Sequence, residues 1–424
     1  MTTLLDPDTT DGTRSADIGD RLRSSITACL NLLQDTAIEA DGQVSWPTWV
    51  LGGSGTPERC TAGRSPLYDG DAGIAWALQR IGHGFGRPDI EALGHRAARS
   101  LRHRQAPPDL GLLTGRCGIA LSDDAELPGA DHDPEAIVAA VAGSDLTAGL
   151  AGVLLAHSRS PRGSGRLAAA LVDALWRRSE RQLWGRGWPD ATQQGDEARP
   201  LCGMAHGASG IAWSLAESAW RWPGLADSAL SLAAEALRFE SSWSDPLHGG
   251  WPDLRGEQPV WAARWCHGAA GAAAVRLRLL ELSALGLMTA WPEDVIRAEA
   301  EVAVQACGAE VWREREAWHA YGADALGQGW TFCHGVGAPA AVLDLAATAL
   351  DEPRHRDLAL DATRDFLETA GDDPSAWPCG LQGADGDLGL FNGIAGTAAL
   401  FADLIGITGP GSGVTGDGPV VLLG

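Results

Sequence analysis

MAHGASGIAWSL (204–215), WCHGAAGAAAVRL (265–277) and FCHGVGAPAAVLDL (332–345) decide how this chain is read. Each has one or two apolar residues, a polar or small position, then a glycine pair that opens onto an Ala/Leu/Val run. Four further copies share the pattern: LYDGDAGIAWAL (67–78), LLTGRCGIALS (112–122), LTAGLAGVLLAH (146–157) and LFNGIAGTAALFADL (390–404). The first glycines are Gly70, Gly115, Gly149, Gly207, Gly268, Gly335 and Gly393. In the sixth copy the second glycine comes one residue early, at Gly337, and Pro339 follows. Self-similarity of this kind marks a repeat architecture, in which each unit buries its apolar face only against its neighbours.

Each copy starts a helix that is apolar nearly all round, the pattern of a buried element. Between copies lie amphipathic stretches such as RPDIEALGHRAARSLRHR (87–104), GRLAAALVDALWRRSE (165–180) and PRHRDLALDATRDFLETA (353–370). Alternating buried and amphipathic helices predict an all-α chain arranged as an α/α toroid, a double ring of seven helical hairpins. All seven inner helix starts would then gather at one end, where glycine permits close packing and tight turns. Trp-Pro recurs at Trp46-Pro47, Trp188-Pro189, Trp251-Pro252 and Trp377-Pro378, in glycine-rich stretches that predict short β-hairpins or loops over that same end. The reading gives one domain over 17–407, with flexible segments at 1–16 and 408–424.

Composition narrows the function. The 424 residues are 45% hydrophobic, enough for a large core, and carry 55 Asp+Glu against 32 Lys+Arg, a formal net charge of -23. That balance argues against nucleic acid or an anionic membrane as partner, because no excess of cations exists to neutralise phosphate. The N-terminus lacks the basic start and apolar run of a signal peptide, and no apolar stretch is long enough to insert in a bilayer. The expected location is cytoplasmic, where the eight Cys would be thiols or metal ligands.

Three copies carry unusual residues just before the first glycine: His206, Cys266-His267 and Cys333-His334. Equivalent positions of a ring converge, and Cys and His are the preferred zinc ligands. The two Cys-His pairs by themselves leave a closed Cys2His2 structural site open as a reading.

GMAHGASG (203–210), WCHGAAG and FCHG, in this order on a glycine repeat, resemble the signature motifs of lanthionine synthetase C-like proteins, over roughly residues 20 to 406. That resemblance implies the toroid, and a Zn2+ held by Cys266, Cys333 and His334 with His267 outside the ligand set. Three protein ligands leave an open position, the mark of a catalytic zinc. It also implies the reaction: a peptide Cys adds to dehydroalanine or dehydrobutyrine, closing a lanthionine or methyllanthionine thioether in a ribosomally made, dehydrated precursor peptide. A free thiol has a pKa of about 8.5, and a coordinating metal deprotonates it. His206 corresponds to the family's catalytic His, and imidazole suits general acid–base work near neutrality. Asp145 in SDLTAGLAG (144–152) matches an acidic position that either orients that His or caps a helix. His267 and Arg264 are candidates for stabilising the enolate oxygen, whereas Asp69 and Asn392 read as helix caps. Dehydration would fall to a separate dehydratase or kinase/lyase partner. Addition of glutathione to dehydroamino acids, and a non-catalytic zinc-containing peptide-binding subunit, stand as alternatives.

Overall fold

A computed structural model describes residues 8–407 except 53–55, 61–62, 124, 194–197, 246 and 287–290. The first helices are α1 (Asp8–Asp35), α2 (Asp71–Gly84), α3 (Pro88–Leu101), α4 (Arg116–Ser122), α5 (Pro134–Ala140), α6 (Leu150–Arg159) and α7 (Gly165–Arg178). They continue with α8 (Ala208–Arg221), α9 (Ala226–Ser241), α10 (Ala269–Ala284), α11 (Glu293–Tyr321), α12 (Gly337–Ala349), α13 (Arg354–Ala370) and α14 (Ile394–Leu404). Strands among the described residues form only two-stranded antiparallel hairpins: β1 (Ile38–Ala40) with β2 (Gln43–Ser45), β3 (Thr48–Leu51) with β4 (Pro57–Cys60), β5 (Glu180–Arg181) with β6 (Arg186–Gly187), and β7 (Pro252–Asp253) with β8 (Val260–Trp261). The chain is all-α, as expected. Residues 8–16 belong to α1, while 1–7 and the expected tail 408–424 lie outside the described residues.

The even-numbered helices are the ones that start at the glycine turns. They touch in cyclic order, α2 on α4, α4 on α6, α6 on α8, α8 on α10, α10 on α12, α12 on α14 and α14 back on α2. The odd-numbered amphipathic helices pack behind them, α3 on α2, α7 on α6, α9 on α8, α11 on α10 and α13 on α12. Two positions depart from hairpin regularity. Short α5 packs on α7, and the helix behind α14 is α1, from the opposite end of the chain.

One backbone device starts every inner helix. The N–H following the first glycine donates to a carbonyl seven residues earlier: Asp71 to Arg64, Arg116 to Asp109, Leu150 to Gly143, Ala208 to Leu201, Ala269 to Ala262, Val336 to Gly329 and Ile394 to Asp387. The sixth copy therefore keeps the register of the others despite its displaced glycine. Main-chain closure satisfies donors that a capping side chain would otherwise take. Accordingly α2 and α14 have no side-chain cap: Asp69 instead holds Arg64, and Asn392 bonds the Tyr68 hydroxyl.

Glycine is required at the second position by close approach. A Cβ on Gly152 would stand 2.2 Å from the Leu146 carbonyl oxygen, and one on Gly210 2.0 Å from that of Met204. The residue three before each first glycine is buried and apolar: Leu67, Leu112, Leu146, Met204, Trp265, Phe332 and Leu390. Together they form the apolar layer beneath the turns. The Trp-Pro stretches are anchors. The buried indoles of Trp46, Trp188, Trp251 and Trp377 donate to the carbonyls of Leu33, Leu175, Glu240 and Gly371, at the ends of α1, α7, α9 and α13. Each Trp thus ties the loop or hairpin that follows an outer helix to that helix's C-terminus, where carbonyls lack intrahelical donors.

Candidate metal centre

The turns are laced to one another two residues before the first glycine. Tyr68 N–H donates to Leu113, Leu113 to Thr147, Ala205 to Cys266, Cys333 to Phe391 and Phe391 to Tyr68, while the Thr147 hydroxyl bonds the Ala205 carbonyl. Between Cys266 and Cys333 the link is of another kind, with the Cys266 sulfur 3.7 Å from the Cys333 carbonyl oxygen. The backbone girdle opens where the two thiols face each other.

Cys266, Cys333 and His334 come together there, each with one donor atom within 4.8 Å of the others. Both thiols are buried, and His334 Nδ1 is buried without a hydrogen-bond partner among the described residues. Two thiols and an orphaned imidazole nitrogen in reach of one another suit a zinc ion, for which such a set is a common ligand combination. A hydrogen bond from Cys333 holds the Cys266 thiol well below its ordinary range against the effect of burial, helped by His334 and His267, whereas burial pushes Cys333 up. His267 stands outside this group. Its ring is buried beside that of His206, centroids 5.8 Å apart, and burial lowers its pKa.

His206 and Asp145 meet across neighbouring turns, Nδ1 3.1 Å from Oδ2. The other carboxylate oxygen accepts the N–H groups of Ala148 and Gly149, at 2.8 and 3.0 Å. Asp145 therefore both closes its own turn and fixes the His206 ring. Burial alone would lower the His206 pKa, but the Asp145 hydrogen bond and charge, with Asp190 adding to them, raise it. The Arg264 guanidinium bonds the His334 main-chain carbonyl.

Several neighbours were not singled out from the sequence. The Tyr68 hydroxyl hydrogen-bonds the Cys333 sulfur, and Tyr68 holds the same position in its copy as Cys266 and Cys333 do in theirs. Asp190 and Asp253 follow Trp188-Pro189 and Trp251-Pro252, and each lies near the imidazole of the next turn, His206 and His267 respectively. Trp-Pro-Asp occurring twice was the legible signal. Glu240 left no such trace. Fully buried, it accepts the N–H groups of Gly203 and Ser209 on either side of His206 and pairs with buried Arg276.

The family profile described as lanthionine synthetase C-like protein matches residues 62–407. The chain belongs to that family. Comparison with curated proteins gives no match. Among the described residues no helix is long and apolar enough to cross a membrane.

Proposed function

We propose that this α/α toroid is a zinc-dependent lanthipeptide cyclase acting on a dehydrated precursor peptide. The observation that carries the reading is the meeting of Cys266, Cys333 and His334 at the girdle's gap, beside the His206–Asp145 pair. A zinc ion held by the three side chains would lower the pKa of an incoming peptide cysteine, so that its thiol proton leaves to solvent and thiolate is available at neutral pH. The sulfur adds to the β-carbon of dehydroalanine or dehydrobutyrine, the C=C π pair moves toward the α-carbon and carbonyl, and a proton must reach the α-carbon.

His206 supplies that proton in this reading. Asp145 accepts from Nδ1–H, which leaves Nε2 as the nitrogen that exchanges a proton with substrate. Its ring is partly exposed, so a substrate can reach it. Arg264 holds the His334 main chain and so supports the ligand turn. A separate dehydratase or kinase/lyase partner forms the dehydroamino acids, and the setting is cytoplasmic.

The test is mass spectrometry of a dehydrated Ser/Thr/Cys peptide, alkylated at free thiols before and after incubation with the zinc-loaded protein. Cyclisation leaves peptide mass unchanged and removes alkylatable thiols. Thiols that stay fully alkylatable across a panel of such peptides would sink the proposal.

A further inference from the structure

The Trp-Pro-Asp at 188–190 has a structural purpose the cyclase reading leaves unused. Trp188 is pinned to the end of α7 through its indole N–H. Pro189 pairs with Pro200, and Asp190 N–H donates to the Arg199 carbonyl. The returning strand runs directly into Leu201, whose carbonyl closes the start of α8. The loop that carries Asp190 is therefore tied to the same few residues that carry His206.

Asp190 is 3% exposed, and its carboxylate is held by Thr192, whose N–H lies 2.9 Å and hydroxyl 2.8 Å from Oδ1. One oxygen of Asp190, one of Asp145 and a ring nitrogen of His206 all fall within 4.8 Å of one another. Two carboxylates so close, both buried, repel unless a cation shares the space. Among the described residues neither is ion-paired with an arginine, and the imidazole is the group able to supply the charge.

The second Trp-Pro-Asp provides the contrast. Asp253 lies 4.0 Å from His267 Nδ1, but Arg255 bonds both of its oxygens. There an arginine already neutralises the carboxylate, and burial lowers the pKa of the imidazole. The same hairpin device thus delivers a carboxylate to two successive turn histidines, and of the two carboxylates Asp253 is the one shared with an arginine.

We propose that Asp190 is a positioning residue for His206: a second carboxylate that, with Asp145, holds the imidazole protonated and fixed in front of the centre. The proposal rests on the cyclase reading for its catalytic consequence, but not for its electrostatic one. The groups facing His206 are Asp145 from the turn before α6, Asp190 from the hairpin loop, His267 from the turn before α10, and Arg255 from the β7–β8 loop. The two carboxylates favour the imidazolium; Arg255 and a charged His267 oppose it.

The experiment is an NMR titration of histidine-labelled, zinc-loaded protein, with the His206 resonance assigned by its loss in His206→Gln. Asp190→Asn removes the charge but keeps an oxygen for Thr192. Its His206 midpoint is expected to fall by about half a pH unit to one unit, since an opposite charge within a few ångströms favours the charged form. Asp190→Ser retains a turn-forming acceptor and serves as the second variant if Asn misfolds. Kinetics provide the independent readout: kcat falls, its high-pH limb moves down with the midpoint, and KM holds. An unchanged or raised midpoint in the folded variants makes Asp190 a turn residue only and overturns the proposal. So does a second metal ion per chain that is lost with Asp190. If the midpoint falls but no variant, nor wild type, closes rings, the electrostatic inference stands and the cyclase reading fails.

Discussion

The Asp145 carboxylate divides its two oxygens between jobs: Oδ2 holds His206 Nδ1 at 3.1 Å, while Oδ1 accepts two main-chain N–H groups of its own turn. The carboxylate cannot swing away from His206 without also breaking the entry to α6. Orientation of the imidazole is thereby built into a helix start, and several expectations follow from that frame.

The metal comes first. Purified protein should contain one zinc per chain by elemental analysis, and Cys266→Ala, Cys333→Ala and His334→Ala should each lose most of it. His267→Ala and Cys60→Ser should retain it, because neither residue belongs to the convergent group. A zinc-replete Cys266→Ala protein would remove the site.

His206→Ala should fold, keep its zinc and lose thioether formation by roughly 10²–10⁴-fold, the usual effect of deleting a positioned acid or base. The wild-type rate should lose the His206 contribution as pH rises through an ionisation above the ordinary imidazole value, because Asp145 outweighs burial there. That ionisation should be missing from the variant's pH–rate profile. A variant with normal zinc content, normal circular dichroism and near wild-type rate would make His206 structural.

Gly152→Ala tests the fold instead of the chemistry. Its Cβ would meet the Leu146 carbonyl oxygen at 2.2 Å, a main-chain atom that has nowhere to go. Overpacking at such a junction costs about 1–3 kcal/mol or more, so thermal unfolding should shift down by several degrees. Gly224→Ala, with nothing within 4 Å of the added carbon, should leave Tm nearly unchanged.

His157 should make the protein sensitive to mild acid. Its fully buried ring accepts from Ser164 N–H through Nδ1 and faces the Pro128 carbonyl through Nε2, which fixes the neutral tautomer. Burial lowers its pKa despite the Pro128 contact. Below the unfolded-state value near 6.5 the unfolded chain therefore binds a proton that the folded chain refuses, and stability falls as pH falls. Denaturant titrations from pH 7.5 to 5 should show a slope of up to ~1.4 kcal/mol per pH unit from this residue. The slope should be shallower in His157→Gln; identical slopes in the two proteins would remove His157 as the cause.

Sequence by itself determined the helix order, the glycine turns and the residue types that stand at them, because these follow from local rules: backbone closure over seven residues, close approach at the second glycine, and apolar periodicity. It also marked His206 and the two Cys-His pairs at 266–267 and 333–334, since equivalent positions of a cyclic repeat converge, while the family resemblance implied which three of them hold the metal. Tertiary structure alone decided what those side chains face. His267 adjoins Cys266 in the chain yet lies against His206 and Asp253, because consecutive residues in a turn point in different directions. Arg264 turns to a main-chain carbonyl, Asn392 to Tyr68, and Asp190 and Glu240 reach the His206 turn from a hairpin and an outer helix. None of these contacts has a fixed spacing in the sequence, because the segments between copies vary in length and only folding sets where their side chains arrive.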